Sequence, residues 1–285
     1  MAIDPRQSGS HPRDLHPQQT LLGRLASVLA RRPRVRLTRL YGVGAPRTGT
    51  HSVAAIFARP VRSRHEPRLR EAMRRVVAHQ RGGLSLAELR GFVRRRDARL
   101  QLDVDASHVN AFLLEAIQAE FPDARFLLTI RDCYSWMDSA MNHSVNTGSW
   151  SRIDREYIEF YLASGSVEYS EFDSFLRTYD LLSIDSYLSA WVRHNEAVLR
   201  SVPAARLLVL KTSEISDSLE RIAEFAGLSA ELIAPGFRAQ GLARSKHGLL
   251  DRVDPGYLEE RVQQLCGALM RRYFPDVHSR RDALG

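Results

Sequence analysis

Cysteine is scarce in this chain: only Cys133 and Cys266 occur among 285 residues. Two thiols cannot build a cysteine-held metal cluster, and their spacing matches no redox motif. Both are expected to be free, in a reducing compartment. Long apolar runs are missing too, since nothing approaches the ~20 residues that span a bilayer. Before Thr20 there is no apolar core, so the ordered parts of a signal peptide are absent, and a cytoplasmic location is the working expectation. Lysine is rare, and arginine carries nearly all the positive charge. Arginine suits bidentate contacts to phosphate or sulfate. The net charge of +8 asks for an anionic partner. It does not choose among nucleic acid, an anionic membrane face, a polyphosphorylated cofactor and an acidic acceptor. With 44% hydrophobic residues, the composition excludes a disordered chain.

Residues 1–20 read as a disordered tail, and 21–285 as a single domain. Leu21, Leu22, Leu25, Val28 and Leu29 have helical spacing ahead of the basic run Arg31–Arg36, which suits a helix packed on the domain edge or, as the alternative, one lying on a membrane surface. From Thr38 a strand–turn–helix unit begins with LTRLYGVG, APRTGT and HSVAAIFA. A short segment at 61–65 precedes helices over 68–80 and 84–97. A strand is expected over 99–105, a helix over 110–121, and a buried strand over 124–130. A helix over 134–143, a strand over 206–211, a helix over 218–228 and a closing helix over 255–273 complete the pattern. Helical spacing also runs from Tyr187 to Leu199. Alternating strands and helices imply an α/β fold, a parallel β-sheet flanked by helices. Ligands of such sheets bind beyond the carboxyl ends of the strands, here after Val43, His65, Asp105, Ile130 and Leu210.

The first of these ends carries Gly44-Ala45-Pro46-Arg47-Thr48-Gly49-Thr50-His51-Ser52. A strand feeding a tight turn and a helix start aims several backbone N–H groups at one point, which favours an anion. Gly49 allows close approach, Arg47 adds charge, and Thr48, Thr50 and Ser52 add hydroxyl donors. A nucleotide triphosphatase loop has Lys and then Ser or Thr after this glycine, where Thr50 and His51 stand here. The metal-ordering hydroxyl is thus missing from its usual place, and the loop suits a phosphate without a magnesium ion. A second anion site is read at the end of FLLTI, where Arg131 is followed eight residues later by Ser139.

PRTGT after the first strand, with the Arg131/Ser139 pair after a buried strand, resembles the two signatures of the sulfotransferases that use 3′-phosphoadenosine-5′-phosphosulfate (PAPS). RLLVLKTSEISDSLERIAEFAGL resembles that family's late strand and helix, and Arg244-Ser245-Lys246-His247 resembles its basic cofactor-closing loop. The match is good over 38–145 and looser over 206–272. The resemblance implies a P-loop-like sulfotransferase fold, PAPS as donor and no metal. It also implies that the loop Arg47–Ser52, His51 included, binds the 5′-phosphosulfate, and that Arg131 and Ser139 bind the 3′-phosphate. Arg244, Ser245 and Lys246 would close over the donor. Residues 144–200 would form a variable region for a small-molecule, glycan or lipid acceptor, and a homodimer is left open. The chain departs from many members in having Arg47 for Lys. Ser52 and Lys211-Thr212 replace aromatic residues often found after the first loop and the late strand.

Sulfuryl transfer to a hydroxyl needs a base. Carbohydrate and tyrosylprotein members carry a Glu in the place that Glu66 resembles, after the second strand and beside His65. Small-molecule cytosolic members use a His at a later strand end, which points to His108. Glu66 is favoured, with His65 and His108 as the alternatives. Asp105, Ser107 and Asn110 would support the base or orient the acceptor, and Ser107 is equally suited to a structural N-cap. Two rival classes stay in view. A P-loop kinase-like phosphotransferase would need magnesium. A nucleic-acid binder using the arginine-rich stretch 59–99 would show steep salt dependence, though no reader motif accompanies those arginines.

Overall fold

The computed structural model describes residues 35–148, 152–163, 167–239 and 245–284. The tail expected over 1–20, the helix over 21–29 and Arg244 lie outside them. Five strands form the sheet: β1 (Leu40–Gly42), β2 (Ser63–His65), β3 (Val104–Ala106), β4 (Arg125–Ile130) and β5 (Leu207–Lys211). All pair in parallel, in the order β2-β3-β1-β4-β5. The connection after β1 leads out to β2 and later strands return to both sides of β1. The strand order therefore reverses at β1, which leaves a crevice at its carboxyl end.

The helices are α1 (Thr50–Ala55), α2 (Leu69–Gln80), α3 (Leu86–Leu100), α4 (Leu114–Glu120), α5 (Cys133–Thr147), α6 (Arg152–Leu162), α7 (Ile184–Ser201), α8 (Leu219–Ala226), α9 (Pro255–Tyr273) and α10 (Arg280–Leu284). Alternation along the strands divides the core between two faces. Leu40, Ala106, Leu127 and Leu210 pack with Val53 and Ile56 of α1 and Ile222 of α8. Tyr41, Phe126, Leu128 and Ile130 pack with Val76 of α2, Phe92 of α3, Trp136 of α5, Trp191 of α7 and Cys266 of α9. Both faces are covered, which is why FLLTI shows no polar alternation. Each such Leu, Ile or Phe contributes about 1.5–3 kcal/mol by burial. Arg36–Gly285 form one unit. No described helix is long and apolar enough to cross a membrane.

The strand expected over 99–105 is a correction. α3 starts at a capping box between Ser85 and Glu88 and runs through Leu100, because Leu89, Phe92, Val93 and Arg96 keep a buried helical face. Gln101 then turns the chain with φ 49°, and β3 occupies only Val104–Ala106. The helix over 134–143 likewise extends to 133–147, started by the Asp132 side chain accepting from Ser135 N.

Candidate active site

The loop after β1 is built by close approach. A Cβ on Gly44 would overlap Thr129 Oγ1 and lie 2.7 Å from the Thr129 carbonyl oxygen, so only glycine lets the loop press against β4. Gly49 sits at φ 92°, and Arg47 at φ 69°. Positive φ costs a non-glycine residue roughly 1–2 kcal/mol, so the surrounding structure must hold Arg47 in place. The hydroxyls do not all present themselves as the sequence suggested. Thr48 is fully buried; its Oγ1 donates to Ala45 O at 2.8 Å and meets Thr129 Oγ1 at 3.0 Å. As a side-chain donor to an anion Thr48 is therefore a correction. Thr50 Oγ1 lies 3.1 Å from His65 Nε2. Ser52 is buried, while His51 is exposed with its ring edge-on to His65 at 5.2 Å. With six residues, α1 adds little dipole, and the charge of Arg47 matters more.

Arg131 leaves the end of β4 and donates from Nε to Ser135 Oγ at 2.8 Å, one turn into α5. Burial lowers its pKa against the raising influence of Asp132 and Asp138, and the guanidinium stays a poorly solvated cation. Ser139, one turn further along α5, accepts instead from Arg47 Nε at 3.2 Å. The loop after β1 and the helix after β4 are thus in direct side-chain contact.

Several struts hold these loops from behind. Trp136 Nε1 donates to Pro46 O at 2.7 Å. Thr212 Oγ1, just past β5, reaches Thr48 O at 2.9 Å and Ile130 O at 3.2 Å. On α7, Trp191 Nε1 donates to Arg131 O at 2.9 Å, and His194 Nε2 meets Val43 O at 2.8 Å. In the sequence Trp191, His194 and Asn195 show helical spacing, with core packing the better reading of Trp191, and the strut role of Trp136 and Thr212 gives no signal.

Glu66, His65 and His108 come together at the ends of β2 and β3. Glu66 stands at φ 46°, with its N–H donating to Ala106 O at 3.0 Å. His108 Nδ1 donates to Glu66 Oε1 at 2.7 Å; the carboxylate can only accept, which places the proton on Nδ1. The carboxylate is the more accessible member, at 23% against 6% exposure. His65 Nε2 lies 3.7 Å from Glu66 Oε1. Burial pushes the Glu66 pKa up, but the His108 hydrogen bond and the charges of His108, His65 and His143 outweigh it. The carboxyl ends below the ordinary glutamate value. Burial pushes His65 down, against the raising charge of Glu66. Beneath them Arg96 forms a buried ion pair with Asp105 and donates to Pro67 O at 3.1 Å, bracing the Glu66 turn. Asn110 Nδ2 donates to Asp105 O at 3.0 Å. Ser107 stands at the start of the turn His108–Phe112 without a side-chain capping bond. Tyr157 of α6 sets its ring edge-on to His108 at 5.5 Å.

The basic segment also reaches the site. Asn146 Nδ2 donates to Ser245 O at 2.8 Å, and His247 N donates to Asn142 Oδ1 at 2.7 Å. These contacts seat Ser245, Lys246 and His247 on α5, one to two turns past Ser139. Among the described residues, no group of three His, Cys, Asp or Glu is arranged to hold a metal ion.

The fold and the paired loops define an α/β protein with a phosphate-type loop and a carboxylate–imidazole pair at adjacent strand ends. A family model described as "Sulfotransferase domain" matches residues 39–230, more than half of the chain, and the chain belongs to that family. Among solved structures it is similar to a sulfotransferase from Alicyclobacillus acidocaldarius. The identity is 15% and the TM-score 0.48, over 85% of this chain and 98% of that one. No curated protein matches it.

Proposed function

We propose that this sulfotransferase takes its sulfuryl group from PAPS and delivers it, without a metal, to a hydroxyl of a small-molecule, glycan or lipid acceptor. The observation that carries the reading is the Arg47–Ser139 contact, which joins the loop after β1 to the helix that follows β4, while Thr50 of the same loop lies 3.1 Å from His65, the neighbour of Glu66. Two adjoining anion sites suit a donor with separated 5′- and 3′-phosphate groups. Arg47 and the loop amides would hold the 5′-phosphate. Arg131 and Ser139, with Ser245 and Lys246 seated nearby, would hold the 3′-phosphate. Glu66 would take the acceptor proton while the acceptor oxygen bonds to sulfur and the sulfur–oxygen bond to the 5′-phosphate breaks. Arg47 would stabilise the charge left on that phosphate. His108 would orient the carboxylate through its Nδ1–H.

The test has two parts. Incubation of the protein with PAPS and a panel of acceptors should give a product heavier by one sulfuryl group in mass spectrometry. 3′-Phosphoadenosine-5′-phosphate should raise the melting temperature by mass action, and magnesium-ATP should raise it much less. Stronger stabilisation by magnesium-ATP would turn the reading toward a phosphotransferase.

A further inference from the structure

One helix holds a carbonyl of each anion loop. Trp191 and His194 lie three residues apart on α7, on one face, and are 0% and 2% exposed. Val43, whose carbonyl meets His194, is the last residue before the first loop, and Arg131, whose carbonyl accepts from Trp191, opens the second. Tyr161 OH lies 3.4 Å from His194 Nδ1. With Nδ1 accepting there, the ring proton sits on Nε2 and points at Val43 O. Burial lowers the His194 pKa to about 4, so the ring is neutral through the working pH range.

We propose that α7 acts as a spacer for the donor site: Trp191 and His194 are positioning residues that fix the separation of the two anion loops. The pair thereby selects ligands with two phosphates at that separation over ligands with one. The inference rests on the donor reading above and goes beyond it by assigning selectivity to two side chains that touch no ligand. A helix turn is stiff, so the two carbonyls cannot drift apart unless a buried hydrogen bond breaks. A broken one leaves polar groups unsatisfied away from water. Thr212, just past β5, also links the two loops, its hydroxyl reaching Thr48 O and Ile130 O.

Calorimetric titration with 3′-phosphoadenosine-5′-phosphate and with AMP tests the selectivity in wild type, Trp191→Phe, His194→Leu and His194→Gln. Amide hydrogen exchange over 43–50 and 130–135 in the ligand-free proteins tests the mechanical part by itself. In Trp191→Phe, exchange should rise over 130–135 and the preference for the bisphosphate over AMP should fall roughly tenfold, the worth of about one hydrogen bond. AMP binding should hardly change. In His194→Leu, exchange should rise over 43–50, and the bisphosphate should weaken more than AMP, so the preference should fall here as well. His194→Gln, whose amide can still donate to Val43 O, should stay close to wild type. A purely structural role would lower stability without moving the preference. Wild-type exchange in both loops, or an unchanged preference in folded Trp191→Phe, overturns the proposal. If Trp191→Phe does not fold, His194→Leu against its Gln rescue decides through the first loop. A wild type that binds both nucleotides equally overturns the donor reading and the selectivity with it, while the exchange data still decide whether α7 holds the loops.

Discussion

A carboxylate that must accept a proton is usually helped by a raised pKa, yet the neighbours of Glu66 hold it down. The consequence is a carboxylate, the base of the proposed reaction, that is ionised throughout the neutral range and held in place by its neighbours. Glu66→Gln keeps the size and one acceptor oxygen but cannot take the proton. Turnover should fall by roughly 10²–10⁴, while the affinity for 3′-phosphoadenosine-5′-phosphate stays near wild type. His108→Phe removes the donor that favours the carboxylate and leaves the burial that disfavours it. The Glu66 pKa should rise, so kcat/KM should be lost at a higher pH in the variant as pH falls. Superimposable acid limbs for the two proteins would take His108 out of the dyad. His65 and His108 were set against Glu66 as rivals when only the sequence was considered. In the folded chain one of them is its hydrogen-bond donor.

At the scale of elements, α5 gathers more of the site than any other helix described. Its first turn receives Arg131, its second contacts Arg47, and its far half seats residues 245–247 through Asn142 and Asn146. Asn142 is itself held by Asp138, to whose carbonyl and carboxylate oxygens it donates at 2.8 and 2.9 Å. Asn142→Ala combined with Asn146→Ala should release the segment and weaken 3′-phosphoadenosine-5′-phosphate roughly tenfold to a hundredfold, as the loss of two hydrogen bonds would. An unchanged Kd in calorimetry would remove Lys246 from the donor site. The alternation of strands and helices, the loop around Arg47 and the Arg131/Ser139 spacing were all legible in the sequence, because each is a local pattern. The end of α3 was not, since Arg99 and Leu100 fit strand and helix alike until tertiary packing chose. The struts were hidden for a different reason. The partners of Trp191 and His194 lie 60 and 151 residues away, and no local spacing can announce them.

For the whole molecule, His194 ties stability to pH. Its pKa is near 6.5 when unfolded and about 4 in the fold. Between those values the unfolded chain binds a proton that the folded chain refuses, so stability is full above about 6.5 and declines as pH falls toward 4. The melting temperature should drop over that window. The drop should be smaller in His194→Gln, which has no group to titrate. Equal slopes would assign the acid sensitivity to other groups.

Gly44 limits how this protein can vary. A Cβ there would lie 2.5 Å from Thr48 Oγ1 and 2.7 Å from the Thr129 carbonyl oxygen, and would overlap the Thr129 hydroxyl. Trimming Thr129 or Thr48 to alanine removes a hydroxyl but leaves the carbonyl in the way, so no partner substitution makes room. Position 44 is thereby closed to every side chain, and the loop after β1 has no freedom to change at its first residue.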